Sequence, residues 1–180
     1  MFCDSFHSLD VLLQLRSLPC ENMVALPSVQ SLESVLHPTW ATDVFRPAVR
    51  LAGERGVTIC LEPLPAEDTN FINTAAEAIR FTRQLASPNF QVILDVRAMS
   101  AESIQIPQII RESRGEFAYV HANDANLKGP GFGDVDFRPI ATALREVGYD
   151  GTVSVEVFKF DEGAEAIASQ SLEYLRRVFG

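Results

Sequence analysis

The chain has 180 residues, of which 47% are hydrophobic and 22% are charged, as in a folded globular protein with one ordinary core. Its formal net charge is −9, with 24 acidic residues against 15 basic ones, so its surface would repel a phosphate backbone. We therefore expect no general nucleic-acid binding, and a small cation or a neutral polar ligand is the better match.

The location of the protein is predicted from features that the sequence lacks. The N-terminus has no basic region followed by a long apolar core, and no apolar run approaches the ~20 residues that a membrane span needs. Three cysteines, at positions 3, 20 and 60, form no CxxC pair and do not suggest a disulfide framework. We expect a cytoplasmic protein that does not bind membranes.

The first 41 residues differ in pattern from the rest of the chain. They contain one candidate helix, Leu9 to Leu18, after which prolines at positions 19, 27 and 38 interrupt any long element. We predict an irregular N-terminal segment over residues 1–41, followed by a folded unit over residues 42–180.

From residue 42 onward, short apolar runs rich in β-branched residues alternate with stretches of helical periodicity. The predicted strands are 57–62, 90–95, 117–121 and 152–158. The predicted helices are 43–55, 73–87 with a cap at Asn73 or Thr74, 100–115 with a cap at Ser100 and a kink or restart at Pro107, 137–148, and 164–178. This alternation predicts an α/β fold with about four parallel strands, a partial (β/α) barrel of the TIM type.

Each predicted strand ends, or nearly ends, in a side chain that can bind a metal: Glu62, Asp95, His121 and Glu156. The carboxyl ends of parallel strands lie on one face, so these four side chains should converge there. Three carboxylates and one imidazole suit a divalent ion such as Mn²⁺, Mg²⁺ or Co²⁺, with Zn²⁺ a further candidate. The lack of thiolates at these positions disfavours a closed structural zinc site.

Each of these residues also has an ordinary structural explanation. A single acid at a strand end usually caps the next helix, and a single histidine is more often a hydrogen-bonded core residue than a ligand. The joint pattern favours the metal, because each acid follows an apolar run in which an unpaired charge would be costly to bury. A shared cation would remove that cost for all three acids.

Four motifs carry a family resemblance: "CLEPLP", "ILDVRAMS", "VHANDANLKGPGFGDVDF" and "GYDGTVSVEVF". In this order they resemble the C-terminal half of the sugar phosphate isomerase/epimerase family, which has a xylose isomerase-like TIM barrel. The resemblance implies that Glu62, Asp95, His121 and Glu156 bind one divalent ion. It also implies that Glu62 and Glu156 move protons on opposite faces of a sugar or small hydroxy-carbonyl substrate. Isomerisation and epimerisation both remain open.

Two loops supply candidates for contacts with the substrate. One follows the first predicted strand, and the other is the glycine-rich segment after His121, which we expect to cover the site. The predicted substrate-binding residues are Asp68, Asn70, Asp124, Asn126 and Lys128. Many members of the family place a substrate-binding histidine three residues after the metal-binding aspartate, where this chain has Ala98.

The resemblance leaves two alternatives to a sugar isomerase. Whole family members have eight strand–helix units, so a chain with four would be a truncated half-barrel whose open sheet edges invite self-association into a homo-oligomer. Such a half-barrel could be a non-catalytic binding or assembly protein. A DNA-repair nuclease of the AP endonuclease type is disfavoured, because it needs several histidines for a zinc cluster and this acidic chain has three in total.

Overall fold

A computed structural model describes residues 23–27 and 38–180 of the chain. The strands in these ranges are β1 (Met23–Pro27), β2 (Thr58–Glu62), β3 (Phe90–Asp95), β4 (Phe117–Ala122) and β5 (Val153–Val155). The helices are α1 (Pro38–Arg55), α2 (Ala75–Leu85), α3 (Val96–Ser100), α4 (Ile106–Glu112), α5 (Phe137–Val147) and α6 (Ala164–Phe179).

The five strands form one parallel sheet in the order β1-β2-β3-β4-β5. Strand neighbours in the sequence are thus neighbours in space, as expected when helices connect parallel strands. The register brings Glu62 beside Pro27 at the end of β2, and Asp95 beside His121 at the end of β3. The predicted parallel α/β fold and its four strands beyond residue 56 are confirmed.

At residues 23–27 the structure differs from the irregular N-terminal segment that was predicted over residues 1–41. These residues form β1, which pairs with β2 along its whole length, so the sheet has five strands rather than four. Two prolines that we expected to interrupt structure lie at the edges of elements: Pro27 is the last residue of β1, and Pro38 is the first of α1, where a proline is tolerated. The predicted helix Leu9–Leu18 lies outside the described residues.

A second difference concerns the predicted start of the helix after β3. Thr74 caps α2 as predicted, in a capping box with Glu77. Ser100, however, is the last residue of α3 and caps nothing. Helix α3 begins directly after β3 because the Asp95 carboxylate accepts a hydrogen bond from the backbone N–H of Ala98 at 2.7 Å. The predicted restart at Pro107 is confirmed, since Pro107 lies in the first turn of α4.

The core lies between the sheet and its helices. Strands β2 and β3 are almost fully buried, as parallel strands covered by helices should be. Phenylalanine rings join α1, α2 and β3: Phe45 lies 5.7 Å from Phe81 and 5.4 Å from Phe90, measured between ring centroids. Among the described residues, the helices are all too short or too polar to cross a bilayer.

Candidate metal centre

The four predicted metal-binding side chains come together at the carboxyl end of the sheet. Glu62 and Asp95 are the last residues of β2 and β3, His121 is near the end of β4, and Glu156 follows β5 by one residue. One ligand atom from each of them lies within 4.8 Å of the other three. The predicted convergence of these four side chains is therefore confirmed, although Glu156 was expected inside its strand, and their binding of a metal stays a prediction.

The imidazole of His121 lies among the three carboxylates. Its Nδ1 atom is 3.3 Å from Glu62 Oε1, 3.4 Å from Glu156 Oε2 and 3.9 Å from Asp95 Oδ2. The side chains of Glu62 and Asp95 are 9% and 6% exposed, whereas that of Glu156 is 29% exposed. The cluster is therefore closed at β2 and β3 and more accessible beside β5, where a small molecule could approach.

The surroundings shift the pKa values of three of these groups. Burial, together with the nearby charges of Glu62 and Glu156, raises the pKa of the Asp95 carboxyl to about 7 against the opposing effect of two hydrogen bonds. Burial lowers the pKa of His121, but hydrogen bonds and charge from Glu156 and Glu62 outweigh it and raise that pKa to about 10. Burial likewise raises the pKa of Glu156, but its contact with His121 lowers the pKa overall.

These pKa shifts mean that the three acidic side chains surround a positively charged histidine. At neutral pH the imidazole of His121 is protonated and faces the three carboxylates through Nδ1. A divalent ion would balance the negative charge of the carboxylates in place of the protonated imidazole. It would displace the proton from His121, since a metal ligand must be deprotonated. Four convergent oxygen and nitrogen donors, mostly buried, thus fit a divalent ion of the type predicted.

Asn123 belongs to the same cluster and was missed as a site residue by the sequence analysis. Its side chain is fully buried, and its amide Nδ2 donates hydrogen bonds to Asp95 Oδ2 at 2.5 Å and to Glu156 Oε2 at 3.1 Å. Its carbonyl Oδ1 accepts a hydrogen bond from the backbone N–H of Arg97 at 2.7 Å. An asparagine two residues after the histidine was the sequence signal, but nothing in the spacing showed its contacts.

Asp68, one of the predicted substrate-binding residues after β2, is half-buried and ion-paired. Asp68 accepts a hydrogen bond at 2.7 Å from the guanidinium of Arg97, which also donates to Glu67 at 3.0 Å. The Arg97 side chain is 15% exposed, so this ion pair ties the loop after β2 to the start of α3. Asn70 is exposed.

The predicted residues after β4 hold their loop in place. Asp124 is buried and accepts a hydrogen bond from the backbone N–H of Val135, and exposed Asn126 donates to the carbonyl of Phe132. Lys128 forms ion pairs with Asp161 and Glu162 in the loop after β5. All of these contacts are internal, so roles in substrate binding for the five residues of the two loops stay predictions.

The chain is similar in sequence to known barrel proteins. Residues 18–178 match the family described as the xylose isomerase-like TIM barrel. The chain is 26% identical to a D-psicose 3-epimerase of Agrobacterium fabrum over 151 residues, covering 75% of this chain and 52% of that protein. It is 34% identical to a D-psicose 3-epimerase of Ruminiclostridium cellulolyticum over 118 residues, covering 66% and 40%.

A solved structure shows the likeness of fold. The chain superposes on an L-ribulose 3-epimerase with a TM-score of 0.81 at 23% sequence identity, covering 96% of this chain and 65% of that one. The chain thus spans about half the length of the curated relatives it matches.

Proposed function

Because this chain belongs to the xylose isomerase-like TIM barrel family, we propose that it acts as a divalent-metal-dependent enzyme that epimerises a ketose or a related small hydroxy-carbonyl compound. The observation that carries this proposal is the convergence of three carboxylates and one imidazole from four successive strands. The epimerase activity of the two curated relatives supports the choice of reaction.

The residues that would hold the ion are Glu62, Asp95, His121 and Glu156. Mn²⁺, Mg²⁺ and Co²⁺ are the preferred candidates, because oxygen donors outnumber nitrogen donors and sulfur is absent from the set, while Zn²⁺ is also compatible. A bound divalent ion would stabilise the negative charge that develops on the substrate oxygens as a proton leaves the neighbouring carbon.

The two glutamates would move the protons. Glu62 ends β2 and Glu156 directly follows β5, with β3 and β4 between them, so their carboxylates enter the cluster from different sides. One carboxylate would remove the proton from the carbon next to the carbonyl, producing an ene-diolate. Return of a proton by the other carboxylate, on the opposite face, gives the epimer. Return by the same carboxylate to the neighbouring carbon would give aldose–ketose isomerisation instead.

We keep the loop residues Asp68, Asn70, Asp124, Asn126 and Lys128 as candidate contacts for sugar hydroxyls. The side chains of the first loop are the more accessible, since Asp124 is buried in its own loop. Binding of hydroxyls would require these residues to exchange an internal hydrogen bond for one to the substrate. We also keep the prediction that the protein acts in the cytoplasm.

The experiment that tests the proposed function is proton exchange between substrate and solvent. The chain is saturated with Mn²⁺ in D₂O and incubated with D-psicose, D-fructose, L-ribulose and hydroxypyruvate, and ¹H NMR follows the hydrogen next to each carbonyl. Exchange together with the appearance of the 3-epimer supports the proposal. A chain that binds Mn²⁺ and exchanges no proton on any of these compounds would contradict it and favour a non-catalytic binding protein.

Self-association is a second property that the sheet supports. Within the described residues, β1 pairs with β2 alone and β5 pairs with β4 alone, which leaves both edges of the sheet open. We propose that the chain forms a homo-oligomer. Light scattering during size-exclusion chromatography should give a mass that is a multiple of 19.9 kDa, and a mass equal to one chain at micromolar concentration would refute this.

A further inference from the structure

We propose that Asn123 is a positioning residue of the metal centre: its side-chain amide holds the Asp95 and Glu156 carboxylates in the arrangement that accepts a divalent ion. This inference rests on the proposed metal site and assigns a role to a residue outside the set of four ligands.

The contacts of Asn123 use each end of its side chain for a different partner. The NH₂ group has two hydrogens, and it donates to Asp95 Oδ2 and to Glu156 Oε2. The carbonyl oxygen accepts from the backbone N–H of Arg97. The side chain is fully buried, so water cannot substitute for any of these three partners.

The three partners allow only one orientation of the amide. If the amide were rotated by half a turn, its carbonyl oxygen would face two carboxylates and its NH₂ group would face the N–H of Arg97. Both contacts would be repulsive, so the native orientation is fixed. The N–H of Arg97 belongs to the first turn of α3, and Asp95 caps the same helix through its other oxygen. Asn123 is therefore held by the same helix start that holds Asp95.

The carboxylates of Asp95 and Glu156 depend on Asn123 to different degrees. Both oxygens of Asp95 accept a hydrogen bond from the protein, one from Ala98 and one from Asn123, so its orientation is set before any ion arrives. Glu156 is more exposed, and its carboxylate is held by His121 and Asn123, with a further hydrogen bond to the Asp95 carboxyl. Loss of the amide should thus affect Glu156 more, because a histidine engaged by a metal no longer donates a proton to it.

Replacing Asn123 with alanine tests this role. We expect the dissociation constant of Mn²⁺, measured by isothermal titration calorimetry, to rise about 10- to 100-fold, the usual effect of removing a group that orients a metal ligand. The matched control is Asn89→Ala, directly before β3 and at the opposite end of that strand from Asp95, which removes a half-buried amide that donates to the backbone carbonyl of Val57. The control should change the dissociation constant less than about twofold. Equal affinities in the wild-type chain and Asn123→Ala would overturn the proposal.

A second measurement keeps the proposal testable if Asn123→Ala fails to fold. In a crystal structure of the wild-type chain with Mn²⁺, the Asn123 amide should still donate to Asp95 and Glu156, and an amide turned away from both would refute the proposal. A wild-type chain that binds no Mn²⁺ in the titration would reject the metal site itself, together with any role for Asn123. Binding by the wild type with no loss in the variant would reject the positioning role alone.

Discussion

Binding of a divalent ion should release protons, and the number released follows from the pKa values in the cluster. At pH 7 the imidazole of His121, with its pKa raised to about 10, carries a proton on nearly every molecule. The Asp95 carboxyl, with its pKa raised to about 7, carries a proton on about half of them. An ion that binds both side chains must displace these protons.

The expected release is therefore about 1.5 protons per ion at pH 7 and about one at pH 8.5, where Asp95 is already ionised. The apparent affinity for Mn²⁺ must rise with pH, because fewer protons have to be removed. A release of about 1.5 protons corresponds to a gain of roughly 30-fold in affinity per pH unit near pH 7.

Isothermal titration calorimetry in buffers of different ionisation enthalpy measures the released protons directly. His121→Ala is the control, because it should weaken Mn²⁺ binding and lower the release at pH 7 to about half a proton. If the wild-type chain releases no proton and its affinity for Mn²⁺ is flat between pH 6.5 and 8.5, His121 Nδ1 is not a ligand. Unchanged Mn²⁺ affinity in His121→Ala would lead to the same conclusion.

Three further predictions concern stability and catalysis. Without metal, the pKa of His121 is raised in the folded state. Its contribution to stability is therefore complete below about pH 6.5 and is lost as pH rises toward 10. Urea unfolding in EDTA should show the free energy of unfolding fall by roughly 1 kcal/mol per pH unit between pH 7 and 9.5. Glu62→Gln and Glu156→Gln should each reduce epimerisation by about 10²- to 10⁴-fold, yet each variant should still exchange the proton of one epimer. Gly133→Ala should destabilise the chain by about 1–3 kcal/mol, because the new Cβ would lie 2.1 Å from the buried Asp124 carboxylate.

Each of these three predictions can be contradicted by a specific result. Metal-free stability that stays constant or rises between pH 7 and 9.5 would contradict the contact of His121 with the carboxylates. Exchange of both epimers by both glutamine variants would show that neither glutamate is a specific base. Gly56→Ala adds a Cβ with no atom within 4 Å, so only its φ of +64° opposes the change, and we expect a loss of about 1 kcal/mol. A loss in Gly133→Ala no larger than this would argue against the clash.

Local patterns in the sequence were sufficient to predict the four strands whose ends carry the cluster of three carboxylates and one imidazole. Each strand is an apolar run with a polar side chain at or near its end. In a parallel sheet, the helix after each strand returns the chain to the same starting side, so these strand ends lie on one face. Glu62, Asp95, His121 and Glu156 could therefore be identified without knowledge of any contact between them.

The missed features depend on contacts between distant residues. Strand β1 is a five-residue segment whose identity comes from pairing with β2, more than 30 positions along the chain. The start of α3 was misplaced because the side chain of Asp95 both caps that helix and faces the cluster. Asn123 was missed because its partners lie on β3, on α3 and after β5, and no spacing within its own loop reveals them.

A crystal structure of the chain soaked with Mn²⁺, with anomalous data collected at the manganese edge, would show whether the four side chains bind one ion. We predict one anomalous peak at the carboxyl end of the sheet, within about 2.0–2.4 Å of Nδ1 of His121 and of carboxylate oxygens of Glu62, Asp95 and Glu156. A peak elsewhere, or no peak at this cluster at millimolar Mn²⁺ and neutral pH, would contradict this prediction.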